Sequence, residues 1–303
     1  MIRKIEEILI QAKRQPVIKM VLVNGTDRHS LEAAHLACER GLVKVIITGS
    51  RGEIEKTCLE AGINPAEFQI IAAEGEEESA REAAKLVASG EAGLLMKGLI
   101  STDKYMRALL NKEYGLSPAG GVLSHVAVIE NENYHKLLIV SDVAVIPYPD
   151  IRQKEAMINS LIRVGKALGI GQPKVALIAP TELVLQALPA TTDAALLTEM
   201  AENGRITGGR VFGPMALDVA VDRESAIIKN IESSVAGDAD CLLFPNIDAG
   251  NVFYKMNTKL CNSRQAAVVV GAKVPVVLSS RGDSTETKLN SIALASLLSN
   301  RSQ

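Results

Sequence analysis

Short apolar runs alternate with stretches of helical spacing along this chain. Runs at 17–24, 44–48, 68–72, 93–97, 122–129, 136–146, 174–179, 241–244 and 274–278 predict strands. Stretches at 30–40, 53–61, 76–88, 102–110, 152–168, 193–202, 251–265 and 284–298 predict helices. Strands that alternate with helices imply crossover units and a mainly parallel sheet. One pair breaks the alternation: 122–129 and 136–146 are joined by the polar, turn-like ENENYH and predict an antiparallel hairpin. Gly41, Gly62, Gly90 and Gly169 each follow a helical stretch, as left-handed C-caps do. Asp283, three residues before Glu286, precedes the apolar stripe Leu289, Ile292, Leu294 and Leu297 and is the expected start signal of the last helix.

The chain has 303 residues, 47% of them hydrophobic but only 3% aromatic, with no Trp. Its apolar mass is therefore aliphatic, which suits buried parallel strands, and the length suits two domains or one large α/β unit. A net charge of −2 shows no basic bias, so no nucleic-acid partner is expected. Cys38, Cys58, Cys241 and Cys261 form no Cys-x-x-Cys pattern and are expected to be reduced, mostly buried thiols. The opening MIRKIEEILIQAKRQ carries Glu6 and Glu7 within its apolar pattern and is expected to be an amphipathic helix, not a signal peptide. No apolar run is long enough for a membrane span, and a soluble cytoplasmic protein is the expectation.

Four kinds of segment can carry chemistry. In SSRGDS, Ser279 to Ser284, a strand-to-helix turn presents backbone N–H groups at the positive end of a helix dipole. Gly282 permits close backbone approach, Arg281 can grip a phosphate or carboxylate bidentately, and Ser279 and Ser280 add hydroxyls. An ordinary capped helix with a surface arginine is the competing reading. In FPNIDAGNVFYK, Asn246, Asp248 and Asn251 lie at a strand's carboxyl end, where ligands of parallel sheets collect, and Lys255 follows one turn later. MKGLIST offers Lys97, the amides near Gly98, and Ser101 or Thr102 as a cap, without the full P-loop spacing, and VNGTDRHS has the same form. GPMALDVAV sets Asp218 in an apolar stretch, which predicts a buried, partnered carboxylate in a structural role. Among the histidines only His125, beside Ser124, is placed for a site, and no triad, metal cluster or Gly-x-Ser-x-Gly elbow accompanies it.

Taken together, MKGLIST, AGGVLSHVAV, SDVAVIPYPD, PKVALIAPTE, LPATTDAALLTEM, VFGPMALDVAVDRESA, VAGDADCLLFPNIDAGNVFYK and VVLSSRGDSTETKLNSIALA resemble the phosphate acetyl/butyryl transferase family. They run in family order, and LMKG and KLNSIALA look more like the butyryl branch than the acetyl branch. The resemblance implies an α/β fold of two α/β/α domains with mainly parallel sheets, similar to isocitrate and isopropylmalate dehydrogenases, and an interdomain active-site cleft. The expected domains are 1–127 plus 279–303, and 128–278. The implied reaction is butyryl-CoA plus phosphate giving butyryl phosphate plus CoA. The alternatives are acetyl transfer, a metal-dependent decarboxylating dehydrogenase of hydroxy acids, and a non-catalytic binder of CoA or phosphate. The dehydrogenase would need an acidic metal cluster, for which only Asp218 and Asp222 have a suggestive spacing. Coenzyme A is implied as a substrate, with no bound cofactor, no metal, no membrane partner, and a homodimer or higher homo-oligomer.

The resemblance assigns Ser280, Arg281 and Gly282 to the phosphoryl group and Asn251, Tyr254 and Lys255 to the substrate. Arg281, Ser280, Asp283 and His125 are the expected catalytic residues, the last two as alternative bases. Gly282, Ser279, Asn251, Tyr254, Lys255, Lys97, Thr102 and Ser124 are the expected substrate-binding residues. Two positions depart from the acetyl branch. Thr287 stands where that branch has a carboxylate six residues after the arginine, and no arginine adjoins Ser124 and His125.

Overall fold

A computed structural model describes residues 1–118, 120–280 and 282–299. In chain order the elements are α1 (Ile5–Ala12), β1 (Ile18–Val23), α2 (Arg28–Glu39), β2 (Val43–Gly49), α3 (Arg51–Glu60), β3 (Gln69–Ala72), α4 (Gly75–Ala88), β4 (Leu94–Lys97) and α5 (Thr102–Leu110). Then follow β5 (Ser124–Glu130), β6 (Leu138–Ser141), α6 (Ile151–Ala167), β7 (Lys174–Ile178), α7 (Pro189–Glu202), β8 (Arg210–Met215), α8 (Leu217–Val221), α9 (Arg223–Ile228), β9 (Cys241–Leu243) and α10 (Ile247–Lys259). The last elements are β10 (Arg264–Val270), β11 (Val276–Val277) and α11 (Thr285–Ser299).

The chain divides into two compact units, one made of 6–123 and 266–303, the other of 1–5 and 124–265. The boundaries expected from the sequence fall after 127 and before 279. Here β11, which pairs with β4, and most of β10 belong to the unit that holds β1 to β4.

In the first unit the strand order is β3-β2-β1-β4-β11-β10, parallel except where β10 meets β11. Parallel strands covered by helices are apolar throughout, and β4 is buried at every position. Helix α4 packs on β1 and β2, and α11 packs on β4, β11 and α2. Every residue of α11 from Lys288 to Leu298 is buried. A helix buried on every face is a core helix, and this one fills the unit's interior although it carries Lys288, Asn290, Ser291 and Ser296. The turn after β4 depends on Gly98, where a Cβ would lie 2.6 Å from the carbonyl oxygens of Val23 and Asn24.

In the second unit the order is β5-β6-β9-β7-β8, parallel except for the β5–β6 hairpin that the sequence predicts. Helix α6 opens with a capping box between Asp150 and Gln153 and lies along β5, β6, β7 and β9. The predicted strand 136–146 is cut to Leu138–Ser141. Beyond it the backbone coils around the Asp142 carboxylate, which accepts from the amides of Ala144 at 2.7 Å and Val145 at 2.8 Å. The Ser141–Asp142 and Gly213–Pro214 peptide bonds are cis.

Two strands escape the sequence reading. The Gly-Pro pair of VFGPM looks like a break, yet it lies inside β8, beside a register shift against β7. The helix expected to reach 265 ends with α10 at Lys259, and Asn262, with φ 49°, turns the chain into β10. Asp218 is a further correction: it is exposed and pairs with Lys229 at 3.0 Å, because it sits on the first turn of a short surface helix. Asp222 accepts from the Ser225 amide and caps α9. Cys58 and Cys241 are buried, Cys38 is intermediate and Cys261 is exposed, and all four are free thiols. The four glycines read as helix C-caps all have positive φ. Among the described residues no helix is long and apolar enough to cross a membrane.

Helix α10 approaches the coil after β6 so closely that a Cβ on Gly250 would lie 2.0 Å from the Asp142 carbonyl oxygen. Gly250→Ala is therefore expected to cost about 3 kcal/mol or more, since backbone rather than a side chain must move. Urea unfolding of both proteins checks this; a midpoint equal to that of the parent would contradict the packing.

Candidate active site

The carboxyl ends of β1, β4 and β11 converge with the amino ends of α2 and α11 around a small pocket. Asp27, Arg28, His29, Lys97, Gly98, Leu99, Ser279 and Lys288 line it, and its volume is about 160 Å³. Small-molecule pockets usually enclose about 300–1,000 Å³, so this one has room for an anionic head group rather than a whole cofactor-sized molecule.

Two lysines dominate it. Lys97 ends β4 and is 4% exposed; its ammonium reaches the Gly98 carbonyl at 3.4 Å. Lys288, one turn into α11, is 3% exposed and donates to Ser279 Oγ at 3.1 Å and to the Ser280 carbonyl at 3.4 Å. Burial pulls the Lys288 ammonium below the usual lysine value, while Asp27 and Asp283 pull it back. Asp27 is itself held as the N-cap of α2 by the Ser30 amide at 3.0 Å. Arg28, which also lines the pocket, pairs with Glu32 at 2.7 Å.

The turn into α11 is closed by Asp283, whose carboxylate accepts from the Ser280 amide at 2.7 Å. The helix cap is Ser284, which accepts from the Thr287 amide at 3.1 Å, not Asp283 as the sequence spacing suggests. Asp283 folds backward because its carboxylate reaches a free amide of the turn sooner than one of the helix. Ser280 Oγ accepts from the Gly282 amide at 3.4 Å. Arg281 lies outside the described residues. At the start of α5 the capping side chain is Ser101, which accepts from the Lys104 amide at 3.4 Å, and Thr102 is exposed at the next position.

The second unit gathers the other expected residues at the carboxyl end of β6. Because β5 runs antiparallel to β6, its first residues Ser124 and His125 lie at that end. The Asp142 carboxylate also accepts from the His125 amide at 2.9 Å. Burial pushes the Asp142 carboxyl up, and these amides oppose the shift. The His125 ring is 3% exposed and meets Tyr254 edge-on, with centroids 6.5 Å apart. Neither ring nitrogen has a partner among the described residues. Burial pushes its pKa down to about 4, so the imidazole is neutral where the sequence reading expected it to titrate. Asn251 donates to the Val143 carbonyl at 2.8 Å and so holds the coil after β6. Lys255 is exposed on α10, and the Ser124 hydroxyl is buried without a partner among the described residues.

The structure thus brings Lys97, Ser279, Ser280, Gly282 and Asp283 together in one unit, with Thr102 nearby in sequence but turned to solvent. Ser124, His125, Asn251, Tyr254 and Lys255 belong to the other. Lys288 and Asp142 were missed. A signal for Lys288 existed: it falls on the same helical face as Ile292 and Ala295 in KLNSIALA, where a lysine has no reason to be unless its charge is used. Among the described residues no group of three or more His, Cys, Asp or Glu is placed to share a metal ion.

The chain matches the family model described as phosphate acetyl/butaryl transferase over residues 4–84 and 77–296. It is 41% identical to the phosphate butyryltransferase of Clostridium acetobutylicum over 298 residues, 98% of this chain and 99% of that protein. It is 38% identical to the phosphate acetyltransferase of Thermotoga maritima over 291 residues, 96% of this chain and 98% of that protein. The solved structure of a branched-chain phosphotransacylase from Enterococcus faecalis V583 matches with a TM-score of 0.82 at 29% identity, covering 93% of this chain and 99% of that one. The chain belongs to the phosphate acetyl/butyryl transferase family and is a transferase.

The buried His125 supplies a pH prediction. A histidine whose pKa falls from 6.5 to about 4 on folding binds its proton more tightly in the unfolded chain. Stability is therefore lost as pH falls below the unfolded value, by about 3 kcal/mol once the folded value is reached. His125→Gln is expected to lack this part of the slope in unfolding measured between those two values. Nitrogen shifts showing a protonated His125 at neutral pH in the folded protein would contradict it.

Proposed function

We propose that the protein transfers a butyryl group reversibly between coenzyme A and inorganic phosphate. The observation that carries the reading is the pocket where Lys97, Lys288 and Ser279 converge, in a chain of this family. Its net charge is −2, yet the pocket concentrates positive charge where a small dianion fits. The butyryl assignment draws on LMKG and KLNSIALA and on the 41% identity to a phosphate butyryltransferase.

In this reading a phosphate oxygen attacks the thioester carbonyl, the C–S bond breaks, and the thiolate leaves. The proton of the phosphate ends on the CoA sulfur, whose thiol form has an ordinary pKa of about 8.5. Lys97, Ser279 and Lys288 hold the phosphate, and the Ser280–Gly282 turn with Arg281 stabilises the charge that develops on it. Thr102 and Ser124 are assigned to the rest of the substrate, as are Tyr254 and Lys255. The assignment of Asn251 is to hold the backbone beneath them, since its amide already serves Val143. Coenzyme A enters as a substrate, and a homo-oligomer in the cytoplasm is part of the proposal.

Thiol release from butyryl-CoA is expected only when phosphate is present, and kcat/KM is expected to be at least about 10-fold higher than with acetyl-CoA, as a pocket filled by two more methylenes allows. A preference for acetyl-CoA would move the protein to the acetyl branch, and no phosphate-dependent release would reject the reading. Arg281→Ala is expected to lower kcat about 100-fold, the usual loss for one preorganised contact to a developing charge. Full turnover by that variant would remove Arg281 from the site.

A further inference from the structure

The transfer needs a group that moves a proton, and the two side chains the sequence offered are poorly suited. Asp283 is closed onto the Ser280 amide at 2.7 Å. The His125 ring, with its pKa near 4, is far too weak a base to match a thiol. Lys288 has the position they lack. We propose that Lys288 is a catalytic residue whose Nζ carries the proton between the attacking phosphate and the departing CoA sulfur, in the pocket it shares with Lys97 and Ser279. The proposal rests on the acyl-transfer reading given above.

Two geometric observations support it, and the charges around the amine agree with them. The Lys288 side chain is 3% exposed yet lines the pocket, so its amine meets the ligand rather than bulk water. Its hydrogen bonds go to neutral oxygens, Ser279 Oγ at 3.1 Å and the Ser280 carbonyl at 3.4 Å, and not to a carboxylate that would fix it as an ammonium. The charged and titratable groups around the pocket are Asp27, Arg28 and His29 from α2, Lys97 from β4, and Asp283 from the turn. Burial favours the neutral amine, and the two aspartates only partly offset it.

The step balances without another reactant. As the new O–C bond forms, the remaining P–OH becomes acidic and its proton passes to neutral Lys288. The C–S bond breaks with its electron pair on sulfur, and the lysine ammonium protonates that thiolate. The lysine finishes as it began.

The test follows single-turnover thiol release from butyryl-CoA with phosphate, over pH about 6 to 10, for the parent, Lys288→Arg and Lys288→Met. The parent is expected to show a rate that rises with pH to a plateau below the ordinary lysine value of 10.5. Both variants are expected to lose about 100-fold or more and to lack that rise, because arginine keeps the charge but does not titrate. Recovery by Lys288→Arg to within about threefold of the parent would overturn the proposal and leave Lys288 as a charge alone. A parent rate with no such rise would overturn it independently of how either variant folds. Absence of phosphate-dependent release in the parent would overturn the acyl-transfer reading and the proposal with it, whereas an active parent with a rescued arginine variant overturns only the role of Lys288.

Discussion

Lys97 and Lys288 are both taken almost wholly out of water at the carboxyl end of one parallel sheet, and the Lys288 amine donates to neutral oxygens, Ser279 Oγ and the Ser280 carbonyl. Removing an ammonium from water costs several kcal/mol even after the protein relaxes. Most folds neutralise such a charge with a carboxylate, as this one does for Lys154, which pairs with Asp193 at 2.6 Å. Around the pocket the nearest acidic groups are already engaged, Asp27 as a helix cap and Asp283 as the closure of a turn. An anion that enters the pocket meets Lys97, Lys288 and Arg28 together and recovers part of that desolvation cost.

The backbone makes this concentration possible. Gly98 lets the turn after β4 lie against the end of β1, which sets Lys97 and the α2 cap on one wall. The short β11 delivers Ser279 beside them, and α11 buries so completely that Lys288 has only the pocket to extend into. In the second unit the Asp142 carboxylate plays an organising part of a different kind. It collects amides from His125, Ala144, Val145 and Ile146, and thereby fixes the start of β5 to the end of β6. The desolvation of His125 follows from that packing and pushes its pKa down to about 4.

Much of this was legible in the sequence. The alternation of apolar runs and helical stretches marks most of the strands and helices, the ENENYH hairpin, and the crossovers of a parallel sheet. What it missed depends on tertiary context. The Gly-Pro of β8 reads as a break because local propensity cannot see the neighbouring strand β7. The strand after ENENYH reads too long because alternation does not reveal that Asp142 will capture the next amides. Asp218 reads as buried from its apolar neighbours, but it faces outward on a helix of one and a half turns. For the site, the strand-to-helix turns at Lys97 and Ser279 were visible as composition. The choice of Ser101 over Thr102 and of Ser284 over Asp283 as caps was not, since adjacent hydroxyls and carboxylates compete within a turn and geometry decides between them. Lys288 was legible only through its helical face, shared with Ile292 and Ala295, because a lysine near a helix start ordinarily faces solvent.

The proposed reaction depends on the pocket binding phosphate as an anion. Isothermal titration of inorganic phosphate into the parent protein and into Lys97→Met, at fixed ionic strength, measures that most directly. Methionine keeps the volume of the lysine stem and removes the charge, so affinity is expected to fall about 10-fold or more while the melting temperature is kept or raised. Phosphate binding of equal strength in the two proteins would contradict it.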